Sequence, residues 1–125
     1  MRETISTDDA PAAIGAYSQG TATDDLVFTA GQIPATPEGD LLDDADVDVQ
    51  TEQAMENVAA VLAAGGSSLA DALKMTVYLA DIDDFDAMNG VYETFFDGDP
   101  PARSAVEAAD LPAGVDVEIE AVGAR

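Results

Sequence analysis

The sequence predicts an α+β fold, a single mixed β-sheet with two helices packed on one face. Three observations carry this reading. Residues 115–122 alternate, with Val115, Val117, Ile119 and Ala121 opposite Asp116, Glu118 and Glu120, the period of a half-buried strand. Two longer segments repeat their apolar residues at helical spacing instead: Ala54, Met55, Val58, Val61 and Leu62, then Phe85, Met88, Val91, Tyr92, Phe95 and Phe96. The order is strands, helix, strand, helix, strands, which suits helices gathered on one side of one sheet. With 125 residues, 47% of them hydrophobic, the chain suits one domain over 1–125 that buries roughly two-thirds of its unfolded surface.

Each element has a local reason. Thr4-Ile5 and Tyr17–Thr21 read as a short edge hairpin, and residues 26–30 as the first regular strand. Pro34–Asp44 is a loop by its Pro, Gly and Asp content. Asp46 or Asp48 then caps a helix running to about Ala64. Gly65-Gly66 stops it, because glycine takes the left-handed C-terminal conformation without steric cost. A strand over 72–80 follows, with Leu73, Met75, Val77 and Leu79 on one face. The second helix starts near Asp83 or Asp84 and ends at Asp97-Gly98-Asp99-Pro100-Pro101, since proline cannot continue the hydrogen-bond ladder. Residues 103–109 and 115–122 are the last strands. The uncovered face of the sheet carries Lys74, Thr76, Tyr78, Asp116, Glu118 and Glu120. Either water solvates that face or a symmetric ring of copies covers it.

Composition excludes several functions. There are 26 Asp+Glu against 4 Lys+Arg, a net charge of -22, with no Cys and no His. Such a surface repels phosphate backbones and anionic lipid, which argues against nucleic-acid and membrane-surface binding. A disulfide frame, a thiolate nucleophile, a Ser-His-Asp triad, a structural zinc site and an imidazole base are all absent. High charge with few aromatics also marks disordered chains. Here the acids are spread between apolar runs such as residues 26–28 and 75–79, and the mean hydropathy is +0.03. The acid excess therefore reads as a hydrated surface suited to high salt, where screening removes self-repulsion, ahead of an acidic binding surface. Met1–Thr4 leads into no signal-peptide core, the apolar stretch 58–66 is too short to span a bilayer, and neither Asn57 nor Asn89 opens a glycosylation triplet. A cytoplasmic protein is the expectation.

Most motifs fail. The glycines of Gly15-Ala-Tyr-Ser-Gln-Gly20 have P-loop spacing, but the chain continues Thr-Ala where Lys-Ser/Thr is required. Asp44, Asp46 and Asp48 match the first calcium positions of an EF-hand, yet Val49 replaces the glycine and Met55 the final glutamate. Asp81, Asp83, Asp84 and Asp86 read as a helix start and a solvated face. No metal site is expected from either cluster. Two residues stand out. Arg103 alone among the three arginines lies away from the termini, at a strand start. A guanidinium there suits bidentate recognition of a carboxylate or phosphate, with a structural ion pair to one of the many acids as an equal alternative. Glu118 projects from the last strand and can act as a general base or orient a water, against the alternative of a solvated face shared with Asp116 and Glu120.

Several segments together resemble the RidA, or YjgF, family of reactive-intermediate deaminases. They are Ala10-Pro-Ala-Ala-Ile-Gly-Ala-Tyr17-Ser-Gln-Gly20, Ala30-Gly31-Gln32-Ile33-Pro34, Thr76-Val77-Tyr78-Leu79, Met88-Asn89-Gly90-Val91-Tyr92, and Pro101-Ala-Arg103-Ser with Val106, Leu111-Pro112 and Val117-Glu118-Ile119-Glu120. The resemblance runs almost end to end. It implies a chorismate-mutase-like α+β sandwich, assembled as a homotrimer whose sheets line the centre and whose ligand clefts lie between neighbours. It implies hydrolysis of 2-imino acids, formed from enamines such as 2-aminoacrylate, to 2-keto acids and ammonia without metal or cofactor. By the same resemblance Arg103 clamps the substrate carboxylate and Glu118 holds and polarises the attacking water. Tyr17, Gly31, Asn89 and Ala105 line the cleft, Gly31 and Ala105 through their backbones.

The chain departs from the family at Ala105, where many deaminating members carry Cys, and at Ala30, where they carry Ser. A backbone role at position 105 survives loss of the thiol, whereas loss of the hydroxyl at position 30 removes a substrate contact. The loop before Pro100 is also shorter than in many members. The competing reading is a non-catalytic trimer that binds small carboxylates as a sensor, or partners as a chaperone. Ribonuclease or translation-inhibitor activity, ascribed to some relatives, is disfavoured by the net charge and the lack of His.

Overall fold

The alternation read from residues 115–122 lies at the centre of the sheet. The computed structural model, which describes residues 1–125, has eight main elements: β1 (Glu3–Ile5), β2 (Gly20–Ala22), β3 (Leu26–Thr29), α1 (Val47–Ala64), β4 (Ala72–Leu79), α2 (Phe85–Tyr92), β5 (Ala102–Glu107) and β6 (Val117–Ala124). The strands form one sheet in the order β1-β2-β3-β6-β4-β5. β4 and β5 are parallel, joined through α2, and every other pair is antiparallel, so the sheet is mixed.

The apolar stripe of α1 covers the sheet. Ala54, Met55, Val58, Val61 and Leu62 are fully buried against Met75, Val77, Leu79, Val117 and Ile119. Asp46 occupies the N-cap with extended backbone but makes no side-chain cap bond, and Asp48 sits in the first turn, where the helix dipole favours an acid. At the other end, Gly66 has φ +85°, and the N–H groups of Gly66 and Ser67 donate to Ala63 and Leu62, a Schellman closure. Gly65 is required for a different reason. A Cβ there would lie 2.6 Å from Ile5 Cδ1 and 2.8 Å from Val27 Cγ1, so the absent side chain lets the helix end pack onto β1 and β3. No helix is long and apolar enough to cross a membrane.

Several boundaries differ from expectation, each for a tertiary reason. Tyr17 lies outside any strand: β1 and β2 pair, Thr4 opposite Thr21, but the segment between them is a long loop. The buried Gln19 side chain organises that loop, donating to the carbonyls of Thr7 (3.0 Å), Ala10 (3.3 Å) and Pro11 (2.8 Å) and accepting the Thr7 N–H (2.7 Å). Leu73 is exposed, because an irregularity between Ala72 and Lys74 shifts the pleat before Met75. α2 is flanked by 3₁₀ turns at Ile82–Asp84 and Glu93–Phe95, the first held by the Asp81 carboxylate accepting the Asp83 N–H at 2.9 Å. β5 ends at Glu107, before the expected Ala109. β6 begins at Val117, because the Asp116 N–H is taken by Gln50 Oε1 at 2.8 Å, not by a strand neighbour.

Gln50 is fully buried and also donates to the carbonyls of Asp43 (3.3 Å) and Ala45 (2.9 Å) and to Asp116 Oδ2 (3.0 Å). It ties the loop before α1 to the start of β6. Truncation strands several of these groups without partners, so Gln50→Ala is expected to lose about 3 kcal/mol of stability. Urea unfolding should show a lower midpoint at unchanged slope. An unmoved midpoint would mean that water replaces the amide.

Candidate functional site

Arg103 pairs with Met75 across β4·β5, so its side chain leaves the sheet on the helix side. There it meets one face of α2. Phe85, Asn89 and Tyr92 recur at i, i+4 and i+7, the spacing that aligns side chains along a helix. Arg103 Nη1 donates to Asn89 Oδ1 at 2.7 Å. The guanidinium carbon lies 5.2 Å from the Phe85 ring centroid and 4.7 Å from that of Tyr92. The ion-pair alternative fails: the salt bridge in this chain joins Arg125 to Glu3, and no carboxylate reaches Arg103. Its remaining N–H groups have no acceptor within the chain, and Arg103 lines a cavity of about 570 Å³ together with Asn89, Tyr92, Glu93, Phe96, Pro100 and Pro101.

Glu118 pairs with Tyr78 and points to the opposite, helix-free face. Gly31 makes room for it, since a Cβ at Gly31 would lie 2.6 Å from Glu118 Oε2 and 2.9 Å from its Cδ. The next residues lock the two segments together: the Gln32 N–H donates to Ile119 O at 2.7 Å and the Ile119 N–H to Gln32 O at 3.0 Å. Burial pushes the Glu118 carboxyl above its ordinary value near 4.5, and the negative charge of Glu120 adds to the shift. Glu120 itself accepts the Tyr78 hydroxyl at 2.7 Å, and Asp116 is held by Gln50. Asp116, Glu118 and Glu120 therefore do not share one solvated environment.

Gly31→Ala tests that packing. The methyl displaces the flexible carboxylate toward water with little loss of stability, so the Glu118 pKa is expected to fall back toward its ordinary value. A carboxyl-carbon NMR titration reads this, and an unchanged curve would show that the loop moves instead.

Tyr17 is more than half exposed, and its hydroxyl accepts the Ile14 N–H at 3.3 Å. With Gly31, Gln19, Ile33 and Leu41 it lines a second cavity of about 450 Å³. Ala105 pairs with Val77 and packs its half-buried methyl against the core, leaving its backbone as the polar group it can offer. Ala30 donates its N–H to Gln19 O at 2.8 Å.

The candidates thus form two groups. Arg103 and Asn89 are together on the helix side, near Ala105. Glu118, Gly31 and Tyr17 lie around the other face. Arg103 sits level with Met75 and Glu118 level with Tyr78, two strands away and three residues along. That separates their Cα atoms by about 14 Å, with the side chains on opposite faces.

A family model described as Endoribonuclease L-PSP matches residues 7–125. This chain belongs to that family, the RidA family. A RutC family protein of Pyrococcus horikoshii is 47% identical over 122 residues, covering 98% of this chain and 97% of the relative. A Salmonella typhimurium protein named 2-iminobutanoate/2-iminopropanoate deaminase is 44% identical over 128 residues, covering 100% of this chain and 99% of the relative. The crystal structure of Escherichia coli TdcF with bound serine matches with a TM-score of 0.93 at 45% identity, over 98% of each chain. The mixed sheet with two helices on one face is therefore the RidA fold.

In this RidA-family protein the supporting residues were the ones sequence reasoning missed. Besides Gln19 and Gln50, the fully buried Asn57 donates to the carbonyls of Ile33 (3.1 Å) and Ala35 (2.8 Å), fixing the chain just beyond Gly31. A signal existed. Gln50, Asn57 and Val61 fall on the buried stripe of α1, where a polar residue asks for a partner. The aromatic neighbours of Arg103 had no such signal, because Phe85 and Tyr92 read as ordinary core.

Proposed function

We propose that this protein hydrolyses 2-imino acids and their enamine tautomers, such as 2-iminopropanoate and 2-aminoacrylate, to 2-keto acids and ammonia, using no metal or cofactor. One observation carries the reading. In a chain with 26 acids, the half-buried Arg103 has no carboxylate partner, keeps N–H donors without an acceptor, and lines a cavity. A cation kept free among so many anions suits a carboxylate brought by a ligand. The name of the Salmonella relative supports the same chemistry.

In this scheme Arg103 clamps the substrate carboxylate with parallel hydrogen bonds, and the backbones of Gly31 and Ala105 orient the reacting end beside Tyr17. Ionised Glu118 takes a proton from water as its oxygen bonds to the carbon of the protonated imine, giving a neutral carbinolamine. Glu118 returns that proton to the nitrogen; its carboxylate then takes the hydroxyl proton as the carbonyl forms and ammonia leaves, and solvent finally removes that proton. The raised pKa of Glu118 favours the second half of this exchange. Positioning and one acid/base group suffice because the imine carbon is already electrophilic.

One chain does not bring Arg103 to Glu118, so the reading includes assembly. The site closes between copies of a homotrimer, Arg103 of one copy facing Glu118, Gly31 and Tyr17 of the next. Phe28 and Val106, both exposed on the helix-free face, offer apolar area for a neighbour to cover. The setting is a cytoplasm of high ionic strength.

The test follows imine hydrolysis in molar salt. An amino-acid oxidase generates the imine, semicarbazide traps it, and loss of trapped product reports deamination. Wild type should lower the trapped signal across several imino acids. No acceleration by folded wild type would leave a carboxylate-binding sensor or chaperone-like protein in its place.

A further inference from the structure

The contacts around Arg103 divide by geometry. Ring faces attract a guanidinium through its charge and its flat face, whereas hydrogen bonds to a carboxylate run in its plane. Both rings lie within the 6 Å at which this attraction is appreciable. They can hold the cation without occupying the donors a carboxylate needs. An acidic partner would hold it too, but would compete with any carboxylate ligand. Tyr92 is 97% buried, so its attraction to the cation is little screened by water. Its buried hydroxyl has no hydrogen-bond partner, so the ring and not the hydroxyl accounts for its contact with Arg103.

We propose that Phe85 and Tyr92 are positioning residues that seat the Arg103 guanidinium, with Asn89 setting its rotation, so that it meets a ligand carboxylate already oriented. The proposal rests on the reading of Arg103 as the carboxylate clamp. Preorganisation lowers the entropy lost when the ligand binds, so it acts on affinity more than on turnover.

The variants are Phe85→Leu, Tyr92→Leu and Tyr92→Phe, assayed by imine hydrolysis and by calorimetric titration with 2-oxobutanoate. Each leucine variant should raise KM and the 2-oxobutanoate Kd about tenfold, with kcat within about twofold. Tyr92→Phe should restore the wild-type values, which a role for the hydroxyl would not allow. Folded leucine variants with wild-type Kd, or a Tyr92→Phe as impaired as Tyr92→Leu, would overturn the proposal. If Tyr92→Leu does not fold, Phe85→Leu and a denaturation cycle of Phe85→Leu with Arg103→Gln decide. Measurable coupling supports the seat, and additive losses overturn it. Wild type that binds 2-oxobutanoate without hydrolysing imines defeats the deaminase reading while the seat is still read through Kd. Wild type that does neither leaves the denaturation cycle to decide.

Discussion

Glu118→Gln is expected to lower kcat for imine hydrolysis by about three orders of magnitude, with little change in KM. The amide keeps the shape and can still hold a water, but it cannot accept a proton at neutral pH. A positioned acid/base group contributes roughly 10²–10⁴ in rate. The same change should not weaken the fold. Burial raises the Glu118 pKa, so the native state holds this proton more tightly than the unfolded chain does. Above the unfolded pKa, the ionised carboxylate therefore works against folding, and that opposition grows until pH passes the raised native value. A neutral glutamine removes it, so the variant should unfold at a denaturant concentration equal to or above wild type at pH 7. The pH profile gives a second reading. Wild-type kcat/KM should fall as pH drops through the Glu118 pKa, and this limb should vanish in the variant. Single-turnover rates at matched salt check both. A variant within tenfold of wild type would remove Glu118 from the chemistry.

Arg103→Ala is expected to reduce kcat/KM by about 10²–10⁴, mostly through KM. Two charge-assisted hydrogen bonds to a carboxylate are worth roughly 1.5–3 kcal/mol each, and both disappear. Arg103→Lys should recover little of this. An ammonium keeps the charge but cannot present two parallel donors, and it lacks the planar guanidinium that lies over the Phe85 and Tyr92 rings. Calorimetric titration with 2-oxobutanoate separates the effect from turnover. If the alanine variant binds as wild type, the free guanidinium has another purpose, and the carboxylate clamp fails with it.

These two residues show how unevenly the site was legible. Both were visible as candidates, Arg103 as the one arginine away from the termini and Glu118 from strand alternation and the resemblance. Their environments were not. Whether Arg103 met an acid or an aromatic face depended on α2 bringing Phe85, Asn89 and Tyr92 to it, and no spacing within residues 101–106 reports that. Whether Glu118 stood apart from Asp116 and Glu120 depended on Gly31 and Gln50, both far away in the chain. The resemblance assigns Gly31 a backbone contact; its second role, leaving space for a carboxylate, follows only from the pairing of Gln32 with Ile119.

By itself the sequence determined the α+β class, the stripes of α1 and α2, the two-glycine stop and the in-out pattern of β6. Each is set within a few residues, by a periodicity or a backbone preference that the local chain expresses wherever it is placed. Tertiary structure alone decided that Tyr17 sits in a loop bound by Gln19, that Leu73 turns outward, and that Gln50 and Asn57 are buried yet satisfied. It also decided that Arg103 and Glu118 leave opposite faces of the sheet. Alternation says that residues share or oppose a face within one strand. Which strands become neighbours, and in what register, is settled by hydrogen bonds and packing between segments distant in the chain.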